Sequence, residues 1–156
     1  MDERHVIIMA TVKKVKRKYQ WKETKLVNDY LFEFYREFPP WKKQRLGVAH
    51  DAENARMYMV GQRYADAIVF TGAELVLIEA KMGGDLGGIS QLETYRDLIP
   101  RTPEFNMYKN YPIRCVYLTS RRYKDIENIC KQKGFDYVVY QPPWVAEYWR
   151  DLGFSI

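Results

Sequence analysis

Cysteine and histidine are scarce in this chain, with two of each among 156 residues. Cys115 lies in an apolar run and Cys130 in a helical pattern. Neither has the paired spacing that holds zinc or an iron–sulfur cluster, so both are expected to be reduced core residues. No apolar run approaches the length of a membrane span. The apolar stretch Val6 to Val12 has acidic residues before it and a basic cluster after it, the reverse of a secretory signal. A soluble cytoplasmic protein with no membrane partner is therefore expected. Internal repeats and low-complexity segments are absent, and glycine, proline and charge near globular averages exclude general disorder.

What the chain does have is apolar and aromatic residues, 47% and 15% of the total, including 13 Tyr and 4 Trp. That is enough for one proper core and too little chain for two domains. The expectation is one domain over residues 1–156, with a basic strand and arm at 1–20, a core at 21–141 and a terminal helix at 142–156. The formal charge of +5 is concentrated near the start, where Lys13, Lys14, Lys16, Arg17 and Lys18 crowd together. Such a cluster suits a polyanionic partner or forms a solvated arm.

Periodicity predicts a strand over residues 5–15. A helix is predicted from Trp21 to Phe38, with Val27, Leu31, Phe34, Tyr35 and Phe38 on one face and Pro39-Pro40 as its stop. Three short strands follow, Arg56 to Val60, Tyr64 to Phe70 and Leu75 to Lys81, the last two joined by a turn at Thr71-Gly72-Ala73. Gly83, Gly84, Gly87 and Gly88 read as a flexible connection into a helix from Ser90 to Ile99. Then come a strand (Arg114 to Thr119), a helix (Tyr123 to Lys133), a strand (Tyr137 to Tyr140) and a short helix after Pro142-Pro143. This order implies an α/β fold with a mixed sheet flanked by helices.

The chemistry is concentrated in Tyr64 to Lys81. Leu75, Val76, Leu77, Ile78 and Ala80 make both faces of the third strand apolar, so that strand is expected at the centre of the sheet. Glu79 and Lys81 at its end project from one face, because strand side chains alternate. The hairpin brings Asp66 opposite that end. Two carboxylates forced together repel, and a divalent cation relieves the repulsion better than one lysine does. Oxygen ligands of this kind suit magnesium or manganese. Such a cluster meets the needs of phosphodiester hydrolysis. An isolated Glu-x-Lys is ordinarily a surface ion pair, and a second one stands at Glu23 and Lys25. The buried strand, the hairpin and the upstream aspartate set the first apart.

Asp66, twelve intervening residues and then Glu79-Ala80-Lys81 after an apolar strand resembles the motif of the PD-(D/E)xK nuclease superfamily, with Ala65 where the motif has proline. Gln91-Leu92-Glu93-Thr94-Tyr95 is similar to the Gln-x-x-x-Tyr motif of its RecB-like and VRR-nuc branches. Most of residues 21 to 120 is covered. The resemblance implies a restriction-endonuclease-like core and an Mg-dependent deoxyribonuclease, with an endonuclease expected. Asp66 and Glu79 would bind one or two magnesium or manganese ions, the Ala80 carbonyl would assist, and Lys81 would orient or activate the attacking water. Gln91 and Tyr95, on one helix face, would hold the lysine or contact the scissile phosphate.

Many members add a glutamate from the first helix. Among Glu23, Glu33 and Glu37, the helical wheel puts Glu33 opposite the apolar face and the other two at its flanks. Glu23, placed as in archaeal Holliday-junction resolvases, is taken as the further metal ligand, the alternative being a first-turn glutamate favoured by the helix dipole. His50, in a predicted connection, reads as a loop histidine rather than a metal ligand, and His5 has no supporting neighbours. Arg121 and Arg122, with the basic arm, can track a nucleic-acid backbone without reading sequence. Trp144 and Trp149 could stack on bases, but their helical spacing favours the core. DNA is the expected partner, RNA stays open, and a homodimer is expected if both strands or a symmetric branch are cut. A competing reading keeps the fold but makes the chain a catalytically weak or inactive nucleic-acid-binding module within a larger complex.

Overall fold

The structure, a computed structural model, describes residues 21–47 and 64–155. The expected strands at 5–15 and 56–60, His5, His50 and the basic cluster Lys13, Lys14, Lys16, Arg17 and Lys18 lie outside the described residues.

Helix α1 occupies residues 21–34. Leu26, Val27, Tyr30 and Leu31 bury its inner stripe, as the period of 3.6 requires. The helix stops four residues before Phe38, the expected end. Tyr35 N–H still reaches Leu31 O at 2.8 Å, but Phe38 N–H bonds Tyr35 O at 3.0 Å in a tighter turn. A residue before proline is sterically driven out of the helical region, so Pro39 unwinds the last turn. Tyr35 and Phe38 nevertheless pack on the core. Phe34, placed on the apolar face by the sequence pattern, is 55% exposed.

Among the described residues five strands form one sheet in the order β1-β2-β3-β4-β5. They are β1 (Trp41–Arg45), β2 (Tyr64–Phe70), β3 (Leu75–Lys81), β4 (Ile113–Thr119) and β5 (Asp136–Val139). The first three run antiparallel in a meander, and β4 and β5 join parallel. The strand beside β2 is Trp41–Arg45 rather than the expected Arg56 to Val60. Its sequence, Trp-Lys-Lys-Gln-Arg, carries almost no apolar signal. Among the described residues β1 is an edge strand, bonded through its backbone to β2 alone, and an edge strand needs no apolar run. The hairpin between β2 and β3 closes as expected, with Gly72 at φ 90° and Thr71 N–H on Glu74 O at 3.1 Å.

β3 is buried on both faces up to Ala80. One face meets α1 and the terminal helix α4 (Pro143–Asp151) through Val76, Ile78, Ala80, Val145 and Trp149. The other carries α2 (Gly87–Leu98), two short 3-10 segments (Ile99–Arg101 and Pro103–Tyr108) and α3 (Lys124–Gln132). Leu75, Leu77, Leu92, Phe105, Tyr117 and Ile126 fill that layer. The result is the expected mixed sheet flanked by helices. Cys115 and Cys130 are buried and free, as their surroundings in the sequence predict. Among the described residues no helix is long and apolar enough to cross a membrane.

Candidate active site

The β2–β3 ladder runs from Phe70↔Leu75 to Ala67↔Ile78. One step further, at Asp66 and Glu79, side chains take over from the backbone. Asp66 Oδ2 accepts from Ala80 N–H at 2.9 Å, and Glu79 Oε2 lies 3.5 Å from Asp66 N. Beyond the strand end, Glu23 Oε1 from α1 accepts from Met82 N–H at 3.3 Å. Buried amides that lose a strand partner need another acceptor. Three carboxylates supply it, and the same carboxylates thereby line the mouth of the opened sheet.

The mouth is a cleft of about 580 Å³ lined by Trp21, Glu23, Thr24, Lys43, Tyr64, Asp66, Glu79, Lys81, Gln91 and Tyr95. Every side chain of the expected catalytic set, Asp66, Glu79, Lys81, Gln91 and Tyr95, is in it. Asp66 and Glu79 are 9% and 3% exposed. Lys81 Nζ stands 3.9 Å from both Glu79 Oε1 and Asp85 Oδ2. Burial pushes the Glu79 carboxyl well above the ordinary 4.5, with the Asp66 charge adding to the effect and Lys81 opposing it. A lysine at 3.9 Å is thus outweighed by desolvation. Burial raises Glu23 too, against the attraction of Lys81 and the Met82 amide.

Helix α2 presents Gln91 and Tyr95 to the cleft because it begins close against the sheet. It starts at Gly87, three residues before the expected Ser90, so the last of the four glycines are helical and not a flexible connection. A Cβ on Gly88 would lie 2.6 Å from the Tyr117 ring and 3.1 Å from Lys81 Cγ. Only glycine permits that approach. Tyr117 OH in turn bonds Asp85 O at 2.8 Å, holding the turn that leads into α2. Gln91 Nε2 donates to Tyr95 OH at 3.4 Å, which leaves Gln91 Oε1 buried and without a hydrogen-bond partner.

Of the three helix glutamates only Glu23 reaches the cleft. Glu33 is exposed, as its place opposite the apolar face implies, and accepts from Tyr140 OH, and Glu37 lies in the exposed turn after α1. Lys25, of the second Glu-x-Lys, pairs with Asp29 at 3.3 Å along the helix and not with Glu23. Arg121 sits over the Trp149 and Phe154 rings, and Arg122 pairs with Glu127 at 3.6 Å. Neither arginine lines the cleft. Trp149 is buried with its indole N–H on Ser120 Oγ, and Trp144 donates to Asp29, which accords with the packing role.

Lys43, Trp21 and Tyr64 also line the cleft, and sequence reasoning did not place them there. Tyr64 and Trp21 are 36% and 61% exposed. Lys43 Nζ is paired with Asp66 Oδ1. The edge strand that carries Lys43 had no apolar signal, and the one clue to it was a basic pair following the double proline.

Among the described residues no three acidic, histidine or cysteine side chains gather closely enough to make a ready metal cage. Asp66, Glu79 and Glu23 are each turned to a protein donor instead. The donor set itself is all oxygen, with two neighbouring carboxylates, one of them raised by burial and then by the charge of the other, and an orphan amide oxygen on a residue lining the same cleft. That chemistry fits a hard divalent cation.

No family model and no curated protein matches the sequence. Among solved structures, the chain is similar to a repair endonuclease from Pyrococcus abyssi, 17% identical with a TM-score of 0.50 over 75% of this chain and 46% of that one. It is also similar to the EndoMS–dsDNA2 complex, 14% identical with a TM-score of 0.50 over 75% of this chain and 44% of that one. The chain thus spans a little under half the length of each. What it shares with them is the fold: a mixed five-stranded sheet flanked by helices.

Proposed function

We propose that the chain is a metal-dependent DNA endonuclease of the PD-(D/E)xK kind that hydrolyses phosphodiester bonds in the cleft at the β2–β3 opening. The observation that carries this reading is the convergence of Asp66, Glu79 and Lys81 with Gln91 and Tyr95 around one cleft. Its support is threefold: the motif spacing, the oxygen-only donor set, and a fold shared with a repair endonuclease and with EndoMS, the latter in complex with dsDNA.

Asp66, Glu79 and the Ala80 carbonyl would hold magnesium or manganese, with Glu23 contributing from α1. When bound, the ion supplies Lewis-acid polarisation of the phosphate and a more acidic water. Lys81 is largely buried, at 15% exposure, and is held by two carboxylates. It is therefore a fixed cation beside the position of the attacking water, where it steadies the nucleophile and the charge developing on phosphorus. Tyr95 and Gln91 position that end of the cleft. The orphan Gln91 Oε1 is an acceptor in waiting, suited to the Lys81 ammonium or a water. Trp21 and Tyr64 at the rim offer faces on which a base can stack.

The test is cleavage of linear, nicked, single-stranded and four-way-junction DNA by the protein and its Glu79→Ala variant, with magnesium, manganese or chelator. Metal-dependent cutting that the variant loses is expected. If neither protein cuts and both bind DNA equally, the chain is instead a binding module.

A further inference from the structure

Lys43, Asp66 and Glu79 form one row across three strands. The β1–β2 register runs through Lys42↔Ala67 and Gln44↔Ala65, which sets Lys43 beside Asp66, and just past the last β2–β3 pair, Ala67↔Ile78, Glu79 Oε2 lies 3.5 Å from Asp66 N. Lys43 is also the one non-glycine residue with positive φ among the described residues, at 48°. A left-handed backbone is sterically costly for an ordinary L-residue, and such strain persists where surrounding contacts hold it. The contact here is the ion pair with Asp66 Oδ1, the oxygen that the Ala80 amide leaves free. The two lysines of the cleft differ in freedom: the Lys81 side chain is 15% exposed and the Lys43 side chain 57%.

Resting on the reading of the cleft as a metal-dependent nuclease site, we propose that Lys43 is a further functional residue, a counter-cation of Asp66 that yields its place to the divalent ion and then contacts a backbone phosphate of the bound DNA. In the absence of metal the ammonium occupies the Asp66 oxygen that the ion needs, so ion and lysine compete for it. Displacement costs little, because the Lys43 side chain is long, exposed and already at the cleft wall. Once displaced, the ammonium adds to the cleft a cation that Asp66 no longer neutralises, and metal entry thereby raises affinity for DNA.

The experiment uses the full chain as wild type, Lys43→Met, Lys43→Asn and Lys42→Met. Asparagine tolerates positive φ, so Lys43→Asn keeps the backbone if methionine disturbs it. Lys42→Met removes the same charge one residue away. Manganese binding is followed by electron paramagnetic resonance, and duplex binding by fluorescence anisotropy with calcium and with chelator. Both Lys43 variants are expected to bind manganese about tenfold tighter than wild type, as for loss of a competing charge at contact distance, and Lys42→Met within about twofold. The gain in DNA affinity that the cation gives wild type is expected to shrink in the Lys43 variants to the part that the ion's own charge supplies, and to stay at the wild-type size in Lys42→Met. Equal effects of the Lys42 and Lys43 changes, or none, would overturn the role of Lys43 and leave the nuclease reading standing. Wild type and variants that all fail to bind manganese would overturn both.

Discussion

Glu79 is an acid held where water scarcely reaches it, 3% exposed beside Asp66. Its carboxyl is raised above the ordinary 4.5 by burial and by the Asp66 charge. Between that ordinary value and its folded one, the native chain keeps a proton that the unfolded chain has released. Native protein then binds more protons, and stability must fall as pH rises through the window. Glu23 acts in the same direction. The metal-free protein is therefore expected to melt at a lower temperature at neutral than at mildly acidic pH, and Glu79→Gln to flatten that dependence and melt higher at neutral pH. Thermal melts in chelator across pH check this; a steeper slope in the variant would refute the assignment. At the same scale, Lys81→Met is expected to lower cleavage by roughly 10² or more, as for loss of a charge that stabilises the transition state, with wild-type folding by circular dichroism.

At the scale of elements, the site depends on where α2 begins. Gly88 lets its first turn approach the Tyr117 ring, and a Cβ there would lie 2.6 Å from that ring. Tyr117 is fully buried and stacked on Tyr137, so it cannot step aside. Gly88→Ala is expected to cost about 1–3 kcal/mol by overpacking, measured by urea denaturation, and to reduce activity by displacing Lys81 as well. Gly134→Ala, at φ 71° with open space around it, is expected to cost only its backbone strain. The glycines leading into and opening α2 illustrate what a sequence conveys poorly. Their composition suggests slack, whereas their use is close contact, and contact depends on a partner ring nearly thirty residues away. The edge strand β1 escaped notice for a related reason. Periodicity reports burial, and a strand paired on one side through its backbone buries little.

For the molecule as a whole, the cleft belongs to no single element: α1 supplies Glu23, β1 Lys43, β2 Asp66, β3 Glu79 and Lys81, and α2 Gln91 and Tyr95. On the proposed reading, a divalent ion held by Glu23, Asp66 and Glu79 would bind the native state alone and stabilise it by mass action. Magnesium at about 100 times its dissociation constant is expected to add about 2.7 kcal/mol, a rise in melting temperature of roughly 5–10 °C for a chain of this size. Glu79→Ala should abolish the rise, which differential scanning calorimetry reads directly.

Asp66, Glu79, Lys81, Gln91 and Tyr95 could be read from the sequence because their spacing is local. Strand alternation, one hairpin and one helical turn fix which of them share a face, and none of that needs the rest of the chain. The apolar run of β3 likewise announced its central place. The helical wheel and the resemblance already favour Glu23 over Glu33 and Glu37, and the tertiary structure brings it to the cleft; tertiary structure alone decided that β1 is the strand beside Asp66 and that Lys43 stands against it. Those facts rest on how α1 packs across the sheet and on which segment pairs with the free edge of β2. Such long-range choices are made by packing and backbone hydrogen bonds, and these leave no periodic trace in the residues that make them.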